Sequence, residues 1–345
     1  MRAVLHHGLR DVRVATVPDP VLIEPTDALV RVTLACICGS DLWPYRNPTS
    51  PDEPRRIGHE FVGVVEQVGP QVRTLAVGDL VIAPFMYSCG ECEFCLAGLQ
   101  TSCVRGGFYG AEDVGGGQGE RVRVPLADGT LVSAPVGQDD PRLPALLTLS
   151  DVMATGHHAA VNAGVGPGAH VAVIGDGAVG LCGVLAARRL GAERILLLSS
   201  HEDRAAIGRA FGATDVVAER GGAAVQAVLA LGDGRGVPHV MECVGMQGSW
   251  DTALGIVRAG GSIGYVGVPN GVHEGLDLSR IFRRNVTIAG GVAPARAYLP
   301  ELLTDVLDGT IDPSPVFDLE LPLEQAPQGY AAMDERRATK VLLRP

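Results

Sequence analysis

Four cysteines offer the plainest chemistry in the chain. Cys89, Cys92 and Cys95 are each separated by two residues, and Cys103 follows after seven more, so four thiols fall within fifteen positions. Four thiolates meet the tetrahedral preference of Zn²⁺ and close its coordination shell, so this spacing predicts a structural zinc with no place for substrate. An iron–sulfur cluster could use the same number of ligands, but nothing else in the chain suggests electron transfer. Cys36, Cys182 and Cys243 sit in apolar strand or helix contexts and read as core residues.

Two further segments place reactive side chains close together: Cys36-Ile37-Cys38-Gly39-Ser40-Asp41 and Gly58-His59-Glu60. Each is modest taken alone, because a single histidine before a strand is more often structural than a ligand.

A third segment, Gly175-Asp176-Gly177-Ala178-Val179-Gly180, has the GxGxxG form between an expected strand and an expected helix. Gly175 would permit the tight turn, Gly177 would let backbone approach a pyrophosphate, and Gly180 would let helix and strand pack closely. Amides of Ala178 and Val179 at the helix start would face the phosphates. An NAD site usually carries an acid at the end of the next strand, about twenty residues on, to bind the ribose hydroxyls. Here that strand runs out in Ser199, Ser200 and His201, while Glu202 and Asp203 lie where a helix should start. Small hydroxyls beside His201 and Arg204 suit a 2′-phosphate better than a carboxylate would. NADP is therefore the preferred cofactor on this reading, with NAD also possible.

These groups need two kinds of scaffold. Up to about residue 150, short β-branched runs such as 28–34, 61–68 and 79–83 are broken by Gly and Pro, which predicts a mostly antiparallel β domain. From about residue 169 apolar strands alternate with Ala-rich helices: strand 170–174, helix 178–190, strand 194–198, then strands at 215–217, 237–243, 261–266 and 285–288. Six strands in this rhythm predict a parallel, doubly wound sheet. A helix at 298–307 and a strand at 339–343 exceed what that sheet needs, so the tail is expected to rejoin the first domain. The expected division is therefore 1–150 with 292–345, and 151–291.

Taken together, the four-cysteine lobe, Cys38-Gly39-Ser40-Asp41, Gly58-His59-Glu60 and the later dinucleotide fold resemble the medium-chain dehydrogenase/reductase family, zinc alcohol dehydrogenase branch. The resemblance spans essentially the whole chain and implies an α/β protein: a GroES-like, mostly β catalytic domain plus a Rossmann coenzyme domain. It implies that Cys38, His59 and Glu60 surround a catalytic zinc, with Asp151 as the third firm ligand in the manner of bacterial secondary-alcohol dehydrogenases. His157 and His158 are rival ligands whose place on a helix favours a structural or surface role. Asp41 would fix the tautomer of His59, and Ser40 resembles the family's proton-relay hydroxyl. Trp43 stands where several relatives carry a histidine that passes the proton outward, so it is expected to line the substrate pocket instead. Thr155 and Val268 correspond to nicotinamide contacts. The implied reaction exchanges hydride between NAD(P) and an alcohol, ketone or aldehyde. A polyol or sugar-alcohol dehydrogenase would use the same site, and a non-enzymatic dinucleotide-binding zinc protein would need only the structural metal. Relatives suggest a homodimer or homotetramer.

Composition narrows the partners. The net charge is −11, with 39 acidic against 28 basic residues and no block of one sign, so nucleic acid is not an expected partner. No uncharged apolar stretch is long enough to span a bilayer. The first residues read as strand rather than as a secretory signal. Eight cysteines in such a chain suit the reduced thiols of a cytoplasmic location.

Overall fold

A computed structural model describes residues 1–48, 53–110 and 114–345. The chain forms two compact units, Met1–Asp151 with Pro294–Pro345, and Val152–Ala293.

The first unit is built on a sheet in which the strand Ala28–Ile37 pairs antiparallel with Phe61–Val68, with Arg121–Val124 and with Val341–Arg344. Leu80–Ala83 and Val132–Ala134 extend it on one side, and Leu319–Pro322 adds a parallel pairing on the other. The C-terminal strands thus join the N-terminal sheet through Val341, Leu342 and Leu343, which pair with Ile37, Cys36 and Ala35. Alternating residues such as Val30, Val32, Phe61 and Val65 bury one face with Tyr330 and Val341 in a common core. A strand terminus buried in this way carries side chains at fixed positions, and Cys38 follows Ile37 directly.

The second unit holds six parallel strands in the order Asp215–Val217, Arg194–Leu198, His170–Ile174, Val237–Glu242, Val257–Tyr265, Thr287–Gly290. This is the doubly wound dinucleotide order, with its reversal between His170–Ile174 and Val237–Glu242. Val171, Ala172 and Val173 are buried, as expected for strands covered on both faces. Two strand starts in this sheet differ from the sequence reading. The fifth strand starts at Val257 rather than near Gly261, and the sixth at Thr287 rather than Asn285. Asn285 adopts left-handed backbone (φ 52°) to end the helix Leu278–Arg284, which delays the strand. Among the described residues no helix is long and apolar enough to cross a membrane.

Candidate active site and metal centres

Two groups of metal-ligating side chains converge in the first unit, Cys89, Cys92, Cys95 and Cys103 in one and Cys38, His59, Glu60 and Asp151 in the other. In each, one donor atom per residue lies within 4.8 Å of all the others.

Cys95 lies in a short helical turn, Glu93–Leu96, that Cys92 precedes, and Cys103 follows a 3₁₀ turn, Gln100–Ser102. Their Sγ atoms stand 3.4 Å apart for Cys89 and Cys103, 3.5 Å for Cys92 and Cys95, and 3.9 Å for Cys89 and Cys95. A tetrahedron of thiolates at the usual Zn–S distance of about 2.3 Å has edges of about 3.8 Å, so the set fits zinc. Backbone amides of Cys89, Cys92 and Arg105 donate to these sulfurs, which favours thiolate over thiol. Burial opposes ionisation of Cys89, but amide hydrogen bonds bring its thiol down to about 6. Burial and the neighbouring Cys92 push Cys95 up to about 12. Leu96, Leu99 and Val104 around the cluster are exposed, so the lobe has little apolar core of its own.

The second group is assembled from distant segments. Cys38 follows the strand Ala28–Ile37 and precedes a 3₁₀ turn, Gly39–Asp41; His59 and Glu60 lead into Phe61–Val68; Asp151 lies just before the helix Val152–Asn162. Gly58 has φ +98°, and a Cβ there would lie 2.4 Å from Gln118 Cγ, so only glycine lets the chain turn His59 into place. His59 Nδ1 is 3.3 Å from Asp41 Oδ1, and its Nε2 is 3.5 Å from both Asp151 Oδ2 and Ser40 Oγ. Cys38 Sγ is 3.7 Å from Asp151 Oδ2. Burial works against a charged His59, yet Asp41 and Asp151 hold its pKa well above the ordinary imidazole value. Burial, Glu60 and Asp151 push the Cys38 thiol up. Acidic donors gathered round one imidazole favour positive charge at their centre, whether carried by a proton or by a metal ion.

A supporting network surrounds this group. Asp41 Oδ2 accepts from the Cys38 amide at 2.9 Å and from Gln118 Nε2 at 3.1 Å. Gln118 Oε1 in turn accepts from the Tyr330 hydroxyl at 2.9 Å. Lys340 Nζ donates to Glu60 Oε1 at 2.7 Å, with both side chains buried, while Glu60 Oε2 is buried without a hydrogen-bond partner. An orphaned carboxylate oxygen within a ligand group is itself what a cation would satisfy. Gln118, Tyr330 and Lys340 escaped the sequence reading. The one signal was Lys340, a charge among the apolar residues of the last strand.

The other sequence candidates are placed as follows. His157 is buried on the helix Val152–Asn162, and the His158 ring meets the Asn162 amide, so both are structural rather than surface residues and neither joins the donor group. Burial and the charge of His157 bring His158 down to about 4. Cys36 and Cys182 are buried, and Cys243 is partly so. Trp43 is 39% exposed on the short helix after Asp41. The Phe85 ring approaches that of His59 edge-on at 6.4 Å and leans on Phe108 at 6.2 Å.

In the second unit, Gly175-Asp176-Gly177 links the strand His170–Ile174 to the helix Ala178–Arg189. A Cβ on Gly180 would sit 2.0 Å from the Gly175 carbonyl oxygen, which confines that position to glycine. Gly177 has φ −75°, and a Cβ there would meet no protein atom. Neither backbone nor packing therefore demands that glycine, and the space above it fits an approaching pyrophosphate. Val179 follows Ala178 on the helix. Ser199 is buried at the end of Arg194–Leu198, Ser200 is exposed, and His201 caps the helix Glu202–Phe211. The strand end lacks a carboxylate, but Asp176 brings one to it, with Oδ2 2.8 Å from Ser199 Oγ and 2.8 Å from His201 Nδ1. Thr155 is buried, and Val268 is exposed beyond the fifth strand, its carbonyl oxygen packed on Gly245.

The class defined by this combination matches known proteins. The alcohol dehydrogenase GroES-like domain model matches residues 24–135, and the zinc-binding dehydrogenase model matches residues 178–308. A probable zinc-binding alcohol dehydrogenase of Mycobacterium tuberculosis is 37% identical over all of this chain and 89% of its own. Among solved structures, an alcohol dehydrogenase from Thermus sp. ATN1 superposes with a TM-score of 0.90 at 36% identity, over 100% of this chain and 99% of that one. An NAD-dependent alcohol dehydrogenase superposes at 0.86 with 29% identity over the full length of both chains. The chain belongs to the zinc-dependent medium-chain alcohol dehydrogenase family, and it is an enzyme.

Proposed function

We propose that the chain interconverts secondary alcohols with ketones, or primary alcohols with aldehydes, at Cys38, His59 and Asp151, with Glu60 at the edge of the same shell. The convergence of these four donors in one buried group carries the reading. Three firm ligands, with Glu60 at the edge of the shell, leave a fourth position for substrate, as a catalytic zinc requires. When bound, the zinc supplies Lewis-acid polarisation of the substrate oxygen, and the nicotinamide supplies the hydride chemistry. Asp41, held by Gln118 and the Cys38 amide, fixes His59 so that Nε2 faces the donor group. Ser40, partly exposed, accepts the alcohol proton and exchanges it with solvent. Lys340 fixes one oxygen of Glu60 and leaves the other free for the shell. Cys89, Cys92, Cys95 and Cys103 hold a second, structural zinc.

For the cofactor we propose Gly175, Gly177, Ala178, Val179 and Gly180 at the pyrophosphate, and Thr155 and Val268 at the nicotinamide. Ser199, Ser200, His201 and Arg204 meet the adenosine ribose. Arg220, which donates to Ser200 Oγ, adds a further cation there. The exposed Arg220 guanidinium beside Ser200 supports NADP as preferred cofactor, with NAD accepted second.

The Phe85 ring beside His59, with Phe108 against Phe85, favours an apolar substrate over a polyol. Screening NADPH and NADH oxidation against apolar ketones, aldehydes and keto-sugars tests this. Faster turnover of apolar carbonyls is expected, and a preference for keto-sugars would overturn it. A homo-oligomer is also proposed: Thr287–Gly290 ends the parallel sheet, and nearby Leu278 and Phe282 are 73% and 83% exposed. Eight cysteines without a disulfide suit a cytoplasmic setting.

A further inference from the structure

Asp176 is the second residue of the glycine loop, a position where the GxGxxG pattern asks for no particular side chain. Its Oδ2 accepts from Ser199 Oγ and faces His201 Nδ1, both at 2.8 Å, and its Oδ1 lies 3.4 Å from Arg204 Nη1. A carboxylate therefore stands at the end of Arg194–Leu198, where the strand itself ends in serines. In a dinucleotide fold this is where a carboxylate accepts a hydrogen bond from the 2′-hydroxyl of the adenosine ribose.

The surroundings suit that role. Burial disfavours the ionised form, but hydrogen bonds from His201 and Ser199 and the charge of Arg204 hold the Asp176 carboxyl below its ordinary range. It is thus an acceptor at neutral pH. Oδ2 is committed to two partners, whereas Oδ1 has one long contact and keeps lone-pair capacity for a further donor. Ser199 is buried and the Arg204 side chain is 13% exposed, so the carboxylate is held in one place. Arg220 is exposed, and its side-chain hydrogen bonds among the described residues go to Ser200 alone.

We propose that Asp176 is the ribose-recognising carboxylate of this enzyme, supplied from the glycine loop instead of the second strand, and is the residue through which NAD is accepted beside NADP. The proposal rests on the dinucleotide reading above. It divides the work at the ribose: Asp176 accepts from a free 2′-hydroxyl, and Arg220 with Ser200 receives a 2′-phosphate.

Calorimetric binding of adenosine nucleotides to the full zinc-loaded chain tests this without turnover. Wild type should bind 5′-AMP about tenfold more tightly than 2′-deoxy-5′-AMP, the value of one hydrogen bond to a charged group. Asp176→Asn should bind these two nearly alike, and should gain about tenfold for adenosine 2′,5′-bisphosphate relative to 5′-AMP through loss of the repelling charge. Arg220→Ala should weaken the bisphosphate alone. A wild type blind to the 2′-hydroxyl, or an Asp176→Asn that weakens all three ligands by one factor, would overturn the proposal. Failure of wild type to bind 5′-AMP at all would instead remove the dinucleotide reading on which it rests.

Discussion

The two donor groups of the first unit are built in opposite ways. The four-cysteine group spans fifteen positions, lies among exposed apolar residues, and takes its hydrogen bonds from its own backbone amides. The Cys38 group spans residues 38 to 151, is largely buried, and is held by Asp41, Gln118, Tyr330 and Lys340 from elsewhere in the chain. A site whose ligands are local has a metal as its main source of order, so the metal serves the fold. A site whose ligands are distant is ordered by the fold first, so the metal is free to serve chemistry. That difference predicts which perturbations break stability and which break turnover.

The largest expected effect short of ligand removal comes from the buried ion pair. Lys340→Met leaves the Glu60 carboxylate buried without its cation and should cost about 3–5 kcal/mol in denaturant unfolding, while Lys340→Arg should cost far less. Equal stability of Lys340→Met and wild type would show that the fold does not order the site in the way the comparison requires.

Next in size is Asp151, the proposed third ligand. Asp151→Asn replaces an anionic oxygen by a neutral one and should lower zinc content from two toward one per chain. Asp151→Cys restores an anionic donor and should retain the metal even where hydride transfer slows. Zinc analysis ranks the three, and an Asn variant equal to wild type would remove Asp151 from the shell.

The smallest effect is a control outside both donor groups. Asp176 has a folded pKa below its ordinary 3.8, so its stabilising contribution is complete above that value and is lost as pH falls through the lower folded value. Asp176→Asn should keep both zincs at pH 7 and be less stable there, and its stability gap to wild type should close on acidification. A gap that widened at low pH would reverse the sign.

These regions also differ in how far they could be read in advance. Cysteine spacing is a local signal, and so is a GxGxxG turn between a strand and a helix; the four thiols do converge and the turn does join a strand to a helix. Cys38, His59 and Asp151 were drawn together by the family resemblance, because spacing alone joins segments this far apart only weakly. Gln118 and Tyr330 have no local signature, and Lys340 has only its charge beside an apolar run. They reach the site because the last strand, Val341–Arg344, pairs with Ala28–Ile37 and because the chain at Gln118 packs on Gly58. Asp176 is illegible for another reason: the GxGxxG pattern constrains its glycines and leaves the second position open, while the ribose carboxylate is expected at the end of the second strand. Tertiary structure supplied the same chemistry from a neighbouring loop.

The central claim is that the two groups have separate roles, and zinc content measured alongside turnover in two variants tests it most directly. Cys38→Ala should fold with near-wild-type stability, keep one zinc and lose activity. Cys92→Ser should lose the other zinc and unfold or disassemble at lower temperature, because a structural zinc contributes folding energy outright. Undiminished turnover in Cys38→Ala, or a Cys92→Ser protein of normal stability that fails only in hydride transfer, would contradict the assignment.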